Sequence, residues 1–330
     1  MARKAIMLGP LLGLLSAASF ALNVTVIRRA VLRASASQAT IVTVFAGVPI
    51  ALIMAAATGQ LFRISSLSGT SILLLIGGGI SQFVIGRYGN YRSIQCLGAT
   101  ASAPLRSLAA VFSVALAIIF LDEQVNFLMG VAITLLIISP LFTLQIGGGS
   151  RKSSIATSAD TPLPPPPSGG SSSETPPKKH PVFVRKQAEG YLWGLVMGVG
   201  YGTTVLFIRA ALKDSGMAIA GVLIAYVAGA VVLFIIFAAT KQLADAKGVT
   251  REAAPWYMLA TVSILLAHTF RFIGFSIAPV TLIAPFQEIS ALFVMFFSYF
   301  INRRAEVFGS RVFLAIIVAI SGAALLASQA

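Results

Sequence analysis

The sequence predicts an all-α polytopic membrane protein: ten transmembrane helices built as two inverted five-helix repeats. Three observations carry this. First, the 330 residues are 57% hydrophobic and 10% charged, whereas a soluble domain holds about 25% charged residues. Second, the apolar residues fall in runs of about 20, the length a helix needs to cross the hydrocarbon core. The strands of a β-barrel would be half as long and would alternate. Third, the chain repeats itself. Ala99 to Glu123 reads ATASAPLRSLAAVFSVALAIIFLDE, and Val280 to Glu306 reads VTLIAPFQEISALFVMFFSYFINRRAE, with Ala103-Pro104 and Ala284-Pro285 offset by 181 residues (285 − 104). Gly13-Leu14 through Ile27-Arg28 matches Gly194-Leu195 through Ile208-Arg209 at the same offset (194 − 13 = 181). Two distant matches at one offset indicate an internal duplication.

In chain order, the first five spans are expected at roughly 6–27, 39–58, 70–94, 98–120 and 126–146. The other five follow at roughly 189–212, 216–239, 255–277, 281–301 and 309–328. The first repeat is thus 1–146 and the second 189–330. Met1–Lys4 and the small residues Ala17-Ala18-Ser19-Phe20-Ala21 imitate a signal peptide. The same segment recurs mid-chain at 194–213, so the first span reads as structural. Residues 147–188 contain Pro164 to Pro167, Ser171 to Ser173 and Gly169-Gly170. Such a segment cannot build a core and is expected to be a disordered linker. An odd number of spans per repeat makes the second copy enter the membrane from the opposite side. Inverted repeats of that kind recur in secondary transporters, with a site at the midplane.

The net charge of +14 does not indicate nucleic-acid binding, because most Lys and Arg lie beyond or at the ends of the apolar runs, where they anchor helices. Arg28 and Arg29 are counted in that group. Their distribution places the termini outside and the linker inside. Cys96, alone in the sequence, rules out an internal disulfide. Gly194, Gly198 and Gly202 recur every fourth residue and read as a packing seam. Gly198-Val-Gly200-Tyr-Gly202 has no preceding strand and is not a nucleotide loop. Gly77-Gly78-Gly79 reads as close packing, and Asn23-Val-Thr25 as a chance glycosylation pattern inside a span. No nucleophile elbow, Walker loop or metal-ligand spacing occurs, so neither an enzyme nor a built-in ATPase is expected, and no cofactor or metal.

Ionisable residues inside a membrane are costly and mark functional sites by default. They are Arg87 and Arg92 in span three, Arg106 in span four, His268 and Arg271 in span eight, and Glu288 beside Gln287 in span nine. The duplication pairs them: Arg87 with His268, Asn90 with Arg271, Arg106 with Gln287, each at offset 181. Arg87, Asn90, Tyr91 and Ile94 share a helix face, as do His268, Arg271, Phe272 and Phe275. Arg92 points away, toward an interface. The expected binding set is Arg87, Asn90, Tyr91, Arg106, His268, Arg271, Phe272 and Gln287. Glu288 is expected to couple protons or to pair with Arg106 or Arg271. The excess of cations suits an anionic or zwitterionic solute.

Two small-Pro helices, Ala103-Pro104 to Phe120-Leu121-Asp122-Glu123 and Ala284-Pro285 to Glu306, each precede an apolar last span. With the ten-span count, this resembles the EamA-type family of the drug/metabolite transporter superfamily. The resemblance implies a cavity shared by spans three, four, eight and nine, alternating access, and cytoplasmic termini, against the charge count. The long linker departs from the family's short connection. The expected protein is an inner-membrane secondary transporter of an amino acid or organic acid. The alternatives are an exporter of cationic or apolar drugs and a non-transporting scaffold. Its expected partners are the small-molecule solute and the lipid bilayer, with a homodimer left open and no nucleic acid.

Overall fold

The computed structural model describes residues 2–31, 35–121, 127–139, 142, 186–213, 215–243, 248–277, 289–302 and 310–328. Residues 147–185 of the expected linker therefore lie outside the described residues, as do Gln287, Glu288 and Pro285, while its last residues, Gln187 and Ala188, open a helix. Among the described residues the regular elements are helices. Six helical stretches are long and apolar enough to cross a membrane: Leu11–Val31, Ala36–Ala57, Gly69–Leu97, Gln187–Leu212, Ala218–Ala239 and Ala254–Ile277.

The elements fall where the apolar runs predict. Helix α1 is Ala2–Val31 and α2 is Ala36–Ala57, the latter capped by Ser35, whose hydroxyl accepts from Gln38 N at 3.0 Å. The third span is not uniform. It starts as α3 (Gly69–Gly79), widens into a π-helical turn (Ile80–Gly86) and resumes as α4 (Arg87–Leu97). Gly98, at φ 95°, ends it in the left-handed region that glycine enters without strain. The fourth expected span begins with a single turn, α5 (Ala99–Ser102). Pro104 then holds a 3₁₀ stretch (Ala103–Ser107) before α6 (Leu108–Leu121). Helix α7 is Phe127–Ile138. The second half supplies α8 (Gln187–Leu212), α9 (Ala218–Ala239), α10 (Ala254–Ile277), α11 (Ser290–Ile301) and α12 (Ser310–Ala327).

The halves pack reciprocally. Helix α1 lies along α10, and its counterpart α8 lies along Gly69–Leu97, the counterpart of α10. Helix α1 also packs on α11, and α8 on α6; α2 meets α9 and α7 meets α12. Since apolar burial gives no drive inside lipid, close approach must come from small residues. The glycine seam of α8 does this. A Cβ on Gly194, Gly198 or Gly202 would strike Leu105, Leu108 and the backbone of Ala109 respectively. Gly79 likewise sits against the backbone of Ala225.

One equivalence reaches atomic detail. Arg28 donates from Nη1 to the carbonyl of Ile94 at 3.0 Å, and Arg209 donates from Nη1 to the carbonyl of Phe275 at 2.7 Å. Both partners of the first bond map onto those of the second at offset 181 (28 to 209, 94 to 275). A cation at the last turn of a helix meets the negative end of its dipole. This corrects the expectation for Arg28. It keeps its place in the last turn of α1 but is fully buried, because its face of the helix packs on α4, where the Ile94 carbonyl accepts from it. Arg29 does face outward, over the Trp256 ring at 4.8 Å.

Candidate functional site

The π turn, α4 and α10 form the floor of a buried polar cluster. Arg87 opens α4, just after the π turn. Its Nη2 donates to the hydroxyl of Tyr226 on α9 at 3.1 Å and lies 3.1 Å from Nε2 of His268 on α10. A guanidinium has donors only, so Nε2 must accept, which leaves a neutral ring with its hydrogen on Nδ1. Arg87 also lies over the rings of Phe83 (4.5 Å) and Tyr226 (5.3 Å), and Phe83 meets His268 edge-on at 5.2 Å. These aromatic faces supply part of the negative potential that a buried cation needs.

Arg87 and His268 are equivalent positions of the two repeats, and they touch. A residue that faces its own counterpart sits on the line about which the halves exchange. A second such pair is Phe20 and Tyr201 (201 − 20 = 181), whose rings meet edge-on at 6.0 Å. Arg106 stands over Phe20 at 5.0 Å, near this second pair.

A second rung crosses from the π turn to α10. Arg271 donates from Nη2 to Oε1 of Gln82 at 2.5 Å. Around it, Tyr91 presents its hydroxyl to Asn23 Nδ2 and Thr43 Oγ1, each at 3.4 Å, while Asn23 donates to the Ala260 carbonyl at 2.9 Å. Asn90 and Phe272 are also buried. Arg92 faces away, half-exposed, and pairs with Glu189 at the start of α8, as its place on the helix predicts.

Among the described residues the electrostatic balance is one-sided. Arg28, Arg87, Arg106 and Arg271 are buried, and no carboxylate is buried among the described residues. Among those residues several buried donors also have no hydrogen-bond partner: Gln82 Nε2, Arg87 Nη1, Asn90 Nδ2 and Arg271 Nε. Buried donors left unmet cost far more than an average hydrogen bond stabilises. Among the described residues the cluster thus presents cations and open donors and no buried carboxylate.

A model of the EamA-like transporter family matches this chain twice, over residues 7–145 and 188–328. The chain belongs to the EamA-like transporter family. The starts of the two EamA matches differ by 181 (188 − 7), the offset at which Arg87 meets His268. A solved crystal structure of another protein superposes over 98% of each chain, with TM-score 0.58 and 13% identity. At that identity the likeness speaks for the fold alone. A comparison with curated proteins gave no match.

Of the residues expected in the EamA-like site, Arg87, Asn90, Tyr91, His268, Arg271 and Phe272 are buried; contacts join Arg87 to His268 and Arg271 to Gln82. Arg106 lies against Phe20. Gln287 and Glu288 fall outside the described residues. Reading the sequence missed Gln82, Phe83, Tyr226 and Asn23. Gln82 and Asn23 were visible as uncharged polar residues in apolar spans. Phe83 and Tyr226 carried no signal, since an aromatic in an apolar run looks like packing. Phe20 and Tyr201 lie in the block that revealed the duplication, yet nothing linear says that they meet.

Proposed function

We propose that this protein is an inner-membrane secondary transporter of a small anionic or zwitterionic metabolite. It has ten spans in two inverted repeats, 1–146 and 189–330, joined by the polar linker 147–188. An axis that exchanges halves of five spans each must lie in the membrane plane, because an odd number of crossings turns the second copy over. A solute on such an axis is reached equally from either side when the halves rock, which is alternating access.

The observation that carries this is the meeting of Arg87 with His268, at equivalent positions, inside a cluster whose described residues include buried cations and no buried carboxylate. Arg87, Arg106 and Arg271 would hold the solute's negative group. Asn90 and Gln287 would orient it, His268 would fix Arg87, and Tyr91 and Phe272 would wall the site. Glu288 would couple protons or release an arginine as the solute arrives.

The test is counterflow of radiolabelled organic acids and amino acids in proteoliposomes. Arg271→Ala is expected to cut the initial rate by about 10-fold or more, as loss of a charge-assisted contact does, while the protein still inserts. An unchanged rate would remove Arg271 from the site. Flux of cationic or apolar compounds alone would replace this reading with drug export.

A further inference from the structure

We infer that the solute is a compact dicarboxylic acid with no ammonium group; this rests on the transporter reading above. The first argument is the kind of polar atom the cluster leaves open. Gln82 Nε2, Arg87 Nη1, Asn90 Nδ2 and Arg271 Nε are all donors, and all four side chains are more than nine-tenths buried. The neighbouring acceptors are already engaged: Tyr226 Oη and His268 Nε2 face Arg87, and Gln82 Oε1 receives Arg271. The open acceptors among the described residues are neutral: the amide oxygens of Asn23 and Asn302 and the hydroxyls of Ser93 and Ser298. An ionised carboxylate only accepts, so it matches this set. An ammonium has three donors and no acceptor, so an amino acid would bring its cation into a place already rich in cations and donors.

The second argument is the spacing. The two rungs, Arg87 to His268 and Arg271 to Gln82, share α10, where His268 and Arg271 stand three residues apart. That is about 4.5 Å of helix rise. Gln82 and Arg87 are one π turn apart on the facing element. The rungs thus stand about one helical turn apart along α10, and each holds a guanidinium with an unmet nitrogen. The two carboxyl carbons of an extended four-carbon diacid are about 4 Å apart, three C–C bonds in a zigzag. Such an acid can give one carboxylate to each rung. A monocarboxylate would leave one buried guanidinium without a countercharge, which is strongly unfavourable.

Succinate, aspartate and butyrate separate these arguments. Aspartate is succinate with an added ammonium, and butyrate is succinate with one carboxylate replaced by methyl. Thermal unfolding of the full chain in detergent is followed against each, with tetraphenylphosphonium as a cationic probe. Succinate is expected to raise the midpoint, with aspartate and butyrate each binding about 10-fold or more weakly. In Arg271→Gln, which keeps most of the side-chain volume, the preference for succinate over butyrate is expected to vanish. Aspartate binding as tightly as succinate would overturn the dicarboxylate assignment and leave the transporter reading standing. Butyrate binding as tightly would mean that the protein itself, through Glu288, neutralises one arginine, and would also overturn it. A response to tetraphenylphosphonium alone, or to none of the four, would overturn both this assignment and the anionic reading of the site.

Discussion

The contact between α8 and the π turn allows a sharp test, because a single methyl group measures it. A Cβ built on Gly200 would lie 2.5 Å from Gly86 N and 2.8 Å from both Gly86 Cα and the Ser81 carbonyl. Ordinary Cβ contacts begin near 3.4 Å, so Gly200→Ala must push the two backbones apart by about 0.9 Å (3.4 − 2.5). Backbone cannot swing aside as a flexible side chain can. Overpacking of this kind costs about 1–3 kcal/mol, and it also disturbs the bond from Ser81 Oγ to the Gly200 carbonyl at 2.9 Å. Against this stands a gain of up to about 1 kcal/mol, since alanine favours a helix over glycine. Gly130 on α7 isolates that gain, because nothing lies within 4 Å of its built Cβ. Gly130→Ala is therefore expected to be neutral or stabilising, and the difference between the two variants measures the packing term. At about 2–4 °C per kcal/mol, Gly200→Ala should unfold roughly 2–12 °C below Gly130→Ala in detergent. Its response to succinate should fall too, because Gln82 and Arg87 ride on the displaced turn. Equal midpoints, or a higher one for Gly200→Ala, would refute the close approach of α8 to the π turn.

Two further outcomes are expected. Arg28→Ala leaves a large hole and removes a charge-assisted bond to Ile94, for about 2–4 kcal/mol, whereas the half-buried Arg209→Ala should cost about 1 kcal/mol; unfolding midpoints rank the two, and the reverse order would contradict the buried setting of Arg28. His268→Phe sets an apolar edge against Arg87 Nη2 and should cost about 1–3 kcal/mol, while His268→Gln keeps an acceptor and should recover most of it; equal losses would mean that Nε2 does not accept from Arg87.

Some of the site was legible because it depends on cost. A charged residue in an apolar run is expensive wherever the helix turns, so Arg87, His268 and Arg271 stood out before any geometry was known. Gln82 did not, for a geometric reason. Residues five apart on an α-helix point about 140° from each other, which separates Gln82 from Arg87. The π turn takes five residues to close, so both side chains reach α10. Arg28 was misplaced for a similar reason. An apolar run does not say which face of its last turn is covered: Arg28 is buried against α4 and Arg29 beside it is exposed.

The sequence by itself determined the membrane class, the duplication and the candidate cations. These follow from composition and from one recurring offset, which are properties of a line. It also held the family match, since both repeats carry it. Only the tertiary structure decided that Arg87 meets its own counterpart His268, that Phe20 meets Tyr201, and that Gln82, Arg87, Asn90 and Arg271 hold open donors. Where the exchange line between the halves runs depends on helix rotation and on how closely glycines let backbones approach. Both emerge only when the repeats pack on each other.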